Sequence, residues 1–128
     1  ERLAKLPGLI LPPPLPPDVD YNYAYFPVEI DEPAFGLSRD GLYAALKDYN
    51  IFTRRYFYPL ITDFACYRSL VHQDPLTVAH RAAERILTLP IYDSLALDDV
   101  DRICDIVRHL HADRVAGSSP STLAKPIS

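Results

Sequence analysis

The sequence predicts an α+β domain: a small sheet of about three strands with helices packed on one face. Apolar residues alternate with a period of two in some segments and recur with the helical period of 3.6 in others. The predicted elements follow in the order strand, helix, strand, short helix, strand, helix, joined by short connections. A chain of 128 residues is long enough to bury a hydrophobic core of this kind.

The first predicted strand spans residues 23–30. Its alternate residues are apolar and would share one face: Ala24, Phe26, Val28 and Ile30. Pro27 has no N–H for a ladder hydrogen bond, so we expect an edge strand or an irregular one.

The first predicted helix spans residues 38–49. Ser38 is a favourable N-cap, and Asp40 in the first turn suits the helix dipole. An apolar stripe follows at helical spacing: Leu42, Ala45, Leu46 and Tyr49. Asn50 can take the left-handed conformation that ends a helix.

The second predicted strand, residues 51–58, is rich in β-branched and aromatic side chains. Strand alternation would place Arg54, Tyr56 and Tyr58 on a common face. Guanidinium and phenol groups bind anionic, hydroxyl-rich ligands. The same pattern is also typical of an edge strand whose arginines lie over aromatic rings.

A short helix is predicted from Pro75, at the first helical position, to about Glu84. Three of its residues are expected to face inward: Val78, Ala79 and Ala82. Residues 86–91 predict a short buried strand.

The last predicted helix runs from about Leu97 to Leu110. Its apolar stripe contains Val100, Ile103, Cys104, Val107 and Leu110 or His111. Ala96, at the N-cap position, is a poor cap. From Ala116 onward the small polar residues predict a disordered tail.

The N-terminal region is proline-rich, and many of the 13 prolines lie in residues 7–18. We interpret this stretch as a stiff connector between domains. The alternative is an interaction module whose proline-rich arm binds an SH3- or WW-type groove, since Pro13-x-x-Pro16 is present. The first six residues resemble a last helical turn, so we expect a fragment of a longer protein.

The predicted domain organisation has three parts. Residues 1–20 would be the end of an interdomain helix and the connector, residues 21–112 the small α+β domain, and residues 113–128 a flexible tail.

Charge and composition narrow the class of protein. A formal net charge of −4 argues against a nucleic-acid partner. No apolar run approaches the roughly 18 residues of a membrane span and no signal peptide opens the chain, so we expect a cytoplasmic protein without a membrane partner. Cys66 and Cys104 are far apart and predict free thiols on partly buried faces.

No complete catalytic set emerges from the residues alone. The histidines lack metal-ligand spacing, so no metal site is expected. A Schiff base needs a desolvated lysine, and Lys5, Lys47 and Lys125 lie in a terminus, on a polar helix face and in a tail. A complete small enzyme built on Arg54 and the tyrosines is disfavoured, because no tuned base or nucleophile accompanies them.

Four segments in register carry a family resemblance: residues 23–28, 53–60, 86–92 and 97–106. Together they resemble the C-terminal domain of the DegT-type PLP-dependent sugar-nucleotide aminotransferases, of the aspartate-aminotransferase-like superfamily. The resemblance covers about residues 1–112. It is closest to members that make amino-deoxysugars on dTDP carriers.

The resemblance implies a homodimer in which a large N-terminal domain holds PLP on a lysine. An amino acid, which we expect to be glutamate, would donate the amino group to a dTDP-linked keto-deoxysugar. The small domain would close one side of the active-site cleft. This chain alone is therefore expected to hold no catalytic residue, to bind no PLP and to be inactive.

The resemblance also implies which residues contact substrate. In the family, the segment that matches residues 54–60 lies near the sugar, and several members place a histidine directly after it. Here that position is Ile61, so no acid–base role is expected there. The candidate substrate-binding residues are Arg54, Tyr56, Tyr58 and Ile61, with Tyr56 and Tyr58 favoured.

Overall fold

The computed structural model describes residues 2–70 and 75–117. Within them, four short strands form one antiparallel sheet with the order β1-β2-β4-β3. The strands are β1 (Leu9–Ile10), β2 (Phe26–Ile30), β3 (Arg54–Arg55) and β4 (Ile86–Leu89). The predicted α+β class is confirmed, and β1 adds a strand to the three that were predicted.

The helices in these ranges are α1 (Glu32–Phe35), α2 (Arg39–Asp48), α3 (Thr77–Arg85) and α4 (Leu97–Ala116). Single turns of 3-10 helix at Ile61–Asp63 and Arg68–Leu70 lie between β3 and α3. No helix in the described ranges combines the length and the apolar character of a membrane span.

The hydrophobic core lies between one face of the sheet and helices α1, α2 and α4. Val28 pairs with Leu87 across β2 and β4, and both side chains are buried. The helices contribute fully buried side chains to this core: Phe35, Leu42, Leu46 and Val107. Helix α3 contacts the sheet differently, because its Arg81 binds Glu29, which alternation places on the opposite face of β2.

Strand β2 differs from its prediction in length and in position. It begins only at Phe26, because Tyr23 has a φ of 51° and the Asn22 side chain accepts a hydrogen bond from the Ala24 N–H, which together make a local turn. The prediction of an edge strand is also wrong, since β2 pairs with both β1 and β4. Strand β1 ends before it reaches Pro27, so the missing N–H leaves no gap in that ladder.

The prediction for α2 is confirmed. The helix begins at Arg39, and the Ser38 hydroxyl accepts a hydrogen bond from the Gly41 N–H at 3.0 Å. Leu42 and Leu46 are buried, and Asn50 takes the left-handed conformation after the helix.

Replacing the cap residue, Ser38→Ala, should lower the free energy of unfolding by about 1 kcal/mol, because the Gly41 N–H loses its acceptor. Urea denaturation of the chain measures this change. Ser94→Ala, at an exposed turn position, is the matched control and should change little. Equal effects of the two substitutions would show that the cap bond is not what stabilises α2.

Helix α3 begins later than predicted, and a different residue of it faces inward. It starts at Thr77 because Leu76 has a left-handed conformation, with a φ of 44°, that separates Pro75 from the helix. Residue 74 lies outside the described ranges. The inward position is Ala83, so the inward prediction for Val78 is wrong, and this side chain is 81% exposed.

Helix α4 continues to Ala116, beyond the predicted end at Leu110, and Gly117 closes it in a left-handed conformation. Ala96 makes no side-chain cap hydrogen bond, as expected. Ile103 and Val107 are buried as predicted. The prediction of a disordered tail from Ala116 onward is wrong for Ala116, which is the last residue of α4. The remainder of that tail, residues 118–128, lies outside the described residues.

The two cysteines are free thiols in different surroundings. Cys104 is partly buried, and this burial raises the pKa of its thiol. Cys66 is exposed, so the expectation of a partly buried face is wrong for it; the 3-10 region that contains it packs little against the core. The raised pKa disfavours the thiolate, which is the reactive form of a cysteine.

Candidate functional site

The turn after β3 organises the candidate site. Strand β3 contains only Arg54 and Arg55, which pair with Thr88 and Leu87 of β4. The chain then turns, and Phe57 has a φ of 46°. Extended alternation therefore ends at Arg55, and the prediction of one face shared by the arginine and both tyrosines is wrong.

Arg54 lies at a mixed cavity of about 340 Å³, which we call the Arg54 pocket. The residues that line it include Tyr25, Phe52, Arg54, Thr88 and Tyr92. The Thr88 hydroxyl donates a hydrogen bond to the Arg54 carbonyl at 3.2 Å, which fixes the backbone beneath the guanidinium.

The charge of Arg54 is available to a ligand. The residue is exposed, and within residues 2–70 and 75–117 no carboxylate forms an ion pair with it, whereas its neighbour Arg55 binds Asp40. A guanidinium beside exposed aromatic rings can bind phosphate or carboxylate oxygens with two parallel hydrogen bonds.

Tyr56 contacts one of the residues that line this pocket. Its ring lies edge-on to the ring of Tyr25, with the two centroids 5.5 Å apart. The centroid of the Phe57 ring is 4.3 Å from that of Tyr56. Because Tyr25 lines the Arg54 pocket, Tyr56 is linked to that pocket through this ring and does not line it itself.

Tyr58 lies instead with a second group, the Arg39 cluster, formed by Arg39, Asp40, Tyr43, Arg55 and Tyr58. The guanidinium carbons of Arg39 and Arg55 are 4.8 Å and 5.2 Å from the Tyr58 ring centroid. Both arginines share one carboxylate, with Nε atoms 2.7 Å and 3.2 Å from Asp40 Oδ1. The structure thus separates Tyr58 from Arg54 and joins it to Arg55.

The Arg39 cluster carries an excess of positive charge. Lys47 Nζ lies 4.3 Å from the Tyr43 ring centroid. Its hydrogen bond to the phenol, with a further contribution from its charge, lowers the pKa of Tyr43. With two arginines and a lysine near one carboxylate, this surface favours anionic ligands.

Ile61 lies in an apolar groove of about 470 Å³ and is 70% exposed. The groove also contains Phe57, Tyr58 and Phe64. This position offers a hydrophobic contact and has no group that could move a proton.

Sequence reasoning missed four residues near these sites: Tyr25, Phe52, Tyr92 and Arg39. Tyr25 carried a signal, because the predicted strand placed it on the face away from the core. Arg39 carried none, since a charged residue at the start of a helix is expected to be exposed.

Fold and site together define a small α+β domain with an edge rich in cations and aromatic rings. Residues 1–108 match the profile of the DegT/DnrJ/EryC1/StrS aminotransferase family, and the chain belongs to that family. The predicted resemblance is confirmed.

Individual relatives agree with this assignment. The chain is 43% identical over 88 residues to dTDP-4-amino-4,6-dideoxy-D-glucose transaminase of Escherichia coli, covering 67% of this chain and 24% of that protein. It matches the aminotransferase TlmJ of Streptoalloteichus hindustanus with a TM-score of 0.76 and 30% identity, over 89% of this chain and 29% of that one.

The fold also matches DesI, whose crystal structure was determined in the presence of its TDP-sugar product. The TM-score is 0.74 and the identity 32%, over 91% of this chain and 29% of DesI. The chain therefore spans about a quarter of the length of the curated relatives.

Proposed function

We propose that this chain is part of a sugar-nucleotide aminotransferase, which moves an amino group from glutamate to a dTDP-linked keto-deoxysugar. The observation that carries the proposal is the family match over residues 1–108. The transaminase activity of the E. coli relative and the TDP-sugar product of DesI support the choice of substrate class. Nothing comparable supports the alternative of a proline-rich arm that binds an SH3- or WW-type partner.

The family implies PLP, which needs a desolvated lysine for its Schiff base. The lysines in the described ranges do not fit, because Lys5 and Lys47 are both exposed and Lys47 lies against the Tyr43 ring. Lys125 lies outside those ranges. We therefore propose that the cofactor is held by another part of the protein and that this chain contributes contacts to the substrate.

Each candidate residue has a distinct proposed role. The guanidinium of Arg54, which forms no ion pair with a described carboxylate, would bind phosphate or sugar oxygens, and Tyr56 would support the same pocket through its contact with Tyr25. Tyr58 would approach the ligand from the Arg39 cluster. Ile61 would contact the less polar side of a deoxysugar, because its groove is lined by apolar side chains.

The other expectations from the sequence are likewise proposals about this enzyme. A homodimer, glutamate as amino donor and a cytoplasmic location stay predictions. So do the domain limits at residues 1–20, 21–112 and 113–128.

Amino transfer by the natural protein that carries this chain tests the proposal. With PLP and glutamate, we expect a dTDP-linked 4-keto-6-deoxyhexose to be converted to its amino sugar, detected by mass spectrometry. A PLP-loaded protein that aminates no keto-deoxysugar nucleotide would contradict the proposed activity.

The 128-residue chain itself tests the proposed location of the cofactor. Added to PLP alone, it should leave the absorbance spectrum of the free aldehyde unchanged, because its described lysines are exposed and strongly solvated. A shifted band would place a cofactor lysine in this chain and overturn that part of the proposal.

A further inference from the structure

A buried arginine lies beside the candidate site without belonging to the segment predicted to contact substrate. Arg39 is 3% exposed, and among the described residues the other buried polar side chains are the neutral Thr53 and Thr88. A buried guanidinium is tolerated only when it is paired and well hydrogen-bonded. The contacts of Arg39 therefore show what its burial stabilises.

Arg39 joins three separate parts of the chain. Its Nε donates to Asp40 Oδ1 at 2.7 Å within the first turn of α2. Its Nη1 donates to the Ile86 carbonyl at 3.2 Å, at the start of β4. Its guanidinium carbon lies 4.8 Å from the Tyr58 ring centroid, in the segment after β3.

The same partners also hold the turn after β3. The Ile86 carbonyl accepts a second hydrogen bond, from the Tyr56 N–H at 3.5 Å. Asp40 Oδ1 also binds Arg55 Nε at 3.2 Å. Arg39 thus reaches Arg55 through Asp40, Tyr56 through Ile86, and Tyr58 directly.

The turn needs such support because its own backbone provides little. Strand β3 has two residues, and Phe57 adopts a left-handed conformation that is unfavourable for a residue other than glycine. The Tyr58 ring is exposed on one side and lies against guanidinium groups on another.

We propose that Arg39 is a positioning residue, which holds the segment from Arg55 to Tyr58 in the arrangement that binds the sugar nucleotide. The inference rests on the proposed function. A planar guanidinium can donate two in-plane hydrogen bonds and offer its face to a ring at the same time. A lysine ammonium has no such face, so charge alone cannot replace it.

The test is Arg39→Lys in the natural protein that carries this chain. We expect the KM for the sugar nucleotide to rise about tenfold because the turn is displaced. The half-reaction with glutamate, which needs no sugar nucleotide, should be unchanged. Arg108→Lys, at an exposed arginine of α4, is the matched control. Equal losses in both half-reactions, or no change in KM, would overturn the proposal.

A double-variant cycle tests whether Arg39 acts through Tyr58. In a Tyr58→Leu background the ring is absent, so Arg39→Lys should raise KM much less than in the parent protein. Full additivity of the two changes would overturn the proposal.

Hydrogen exchange tests the role of Arg39 independently of the proposed activity. In Arg39→Lys, amides of residues 54–60 should exchange at least about fivefold faster, while those of α4 keep their rates. If the lysine variant does not fold, Tyr58→Leu changes an exposed side chain and should raise exchange in the same segment. Unchanged exchange in residues 54–60 of the variant would overturn the role of Arg39. If exchange increases in the variant but the wild-type protein transfers no amino group, only the proposed function is contradicted.

Discussion

Gly8→Ala is expected to lower the free energy of unfolding by at least about 3 kcal/mol. A Cβ atom at this position would overlap the backbone nitrogen of Phe35 and would lie 2.7 Å from the carbonyl carbon of Ala34. Both are backbone atoms of α1, so no side-chain rotation can relieve the overlap. Gly8 also has a φ of 73°, which an alanine adopts only with strain.

Gly117→Ala is the matched control. Like Gly8, Gly117 has a positive φ, but it lacks the close backbone contact. Gly117 has a φ of 65°, but a Cβ there would meet nothing within 4 Å. Its replacement should cost only the roughly 1–2 kcal/mol of a left-handed alanine. Urea denaturation of both variants measures the difference. If the two substitutions destabilise the chain equally, the packing of Gly8 against α1 is not important for stability.

The Gly8 contact shows that the proline-rich region also contributes to the fold. The Gly8 carbonyl accepts a hydrogen bond from the Asp31 N–H at 2.8 Å, just before the β1–β2 pairing. Leu3 and Leu9 belong to the hydrophobic core. A two-residue strand among prolines has no period that sequence analysis can detect, so only the tertiary pairing with β2 reveals β1.

Elements with strong local signals were predictable. Helix α2 combines a cap at Ser38 with an apolar stripe through Leu42 and Leu46, so local and tertiary preferences agree. Strand β4 is a short apolar run, and its residues Leu87–Leu89 are buried as that pattern predicts. The length of α4 was underestimated because its last turns mix small, polar and exposed residues and carry no apolar stripe, as the 67% exposure of Val115 shows.

The arrangement of the site was not predictable from alternation. That rule requires extended backbone, and nothing in the sequence marks Phe57 as the left-handed residue that ends it. The burial of Arg39 depends on Ile86 and Tyr58, which are distant in sequence. Residue types that bind anions were thus identifiable, whereas their division between the Arg54 pocket and the Arg39 cluster required tertiary structure.

Arg54→Met is expected to lower kcat/KM for the sugar nucleotide by about 10- to 100-fold in the natural protein that carries this chain. A hydrogen bond to a charged group contributes about 1.5–3 kcal/mol, which corresponds to this range of rates. Methionine preserves most of the length of the side chain but removes its charge. Because Arg54 is exposed and no described carboxylate pairs with it, the thermal stability should change little.

The control and a third variant identify what Arg54 binds. Arg108→Met, at an exposed arginine of α4, should leave kcat/KM unchanged. Arg54→Lys keeps the charge but loses the planar pair of donors, so it should restore activity largely if Arg54 contacts a phosphate as a point charge, and poorly if the contact is bidentate. If Arg54→Met retains wild-type kcat/KM, the Arg54 pocket is not the substrate site, and the positive charge of the Arg39 cluster becomes the remaining candidate for the anionic part of the ligand.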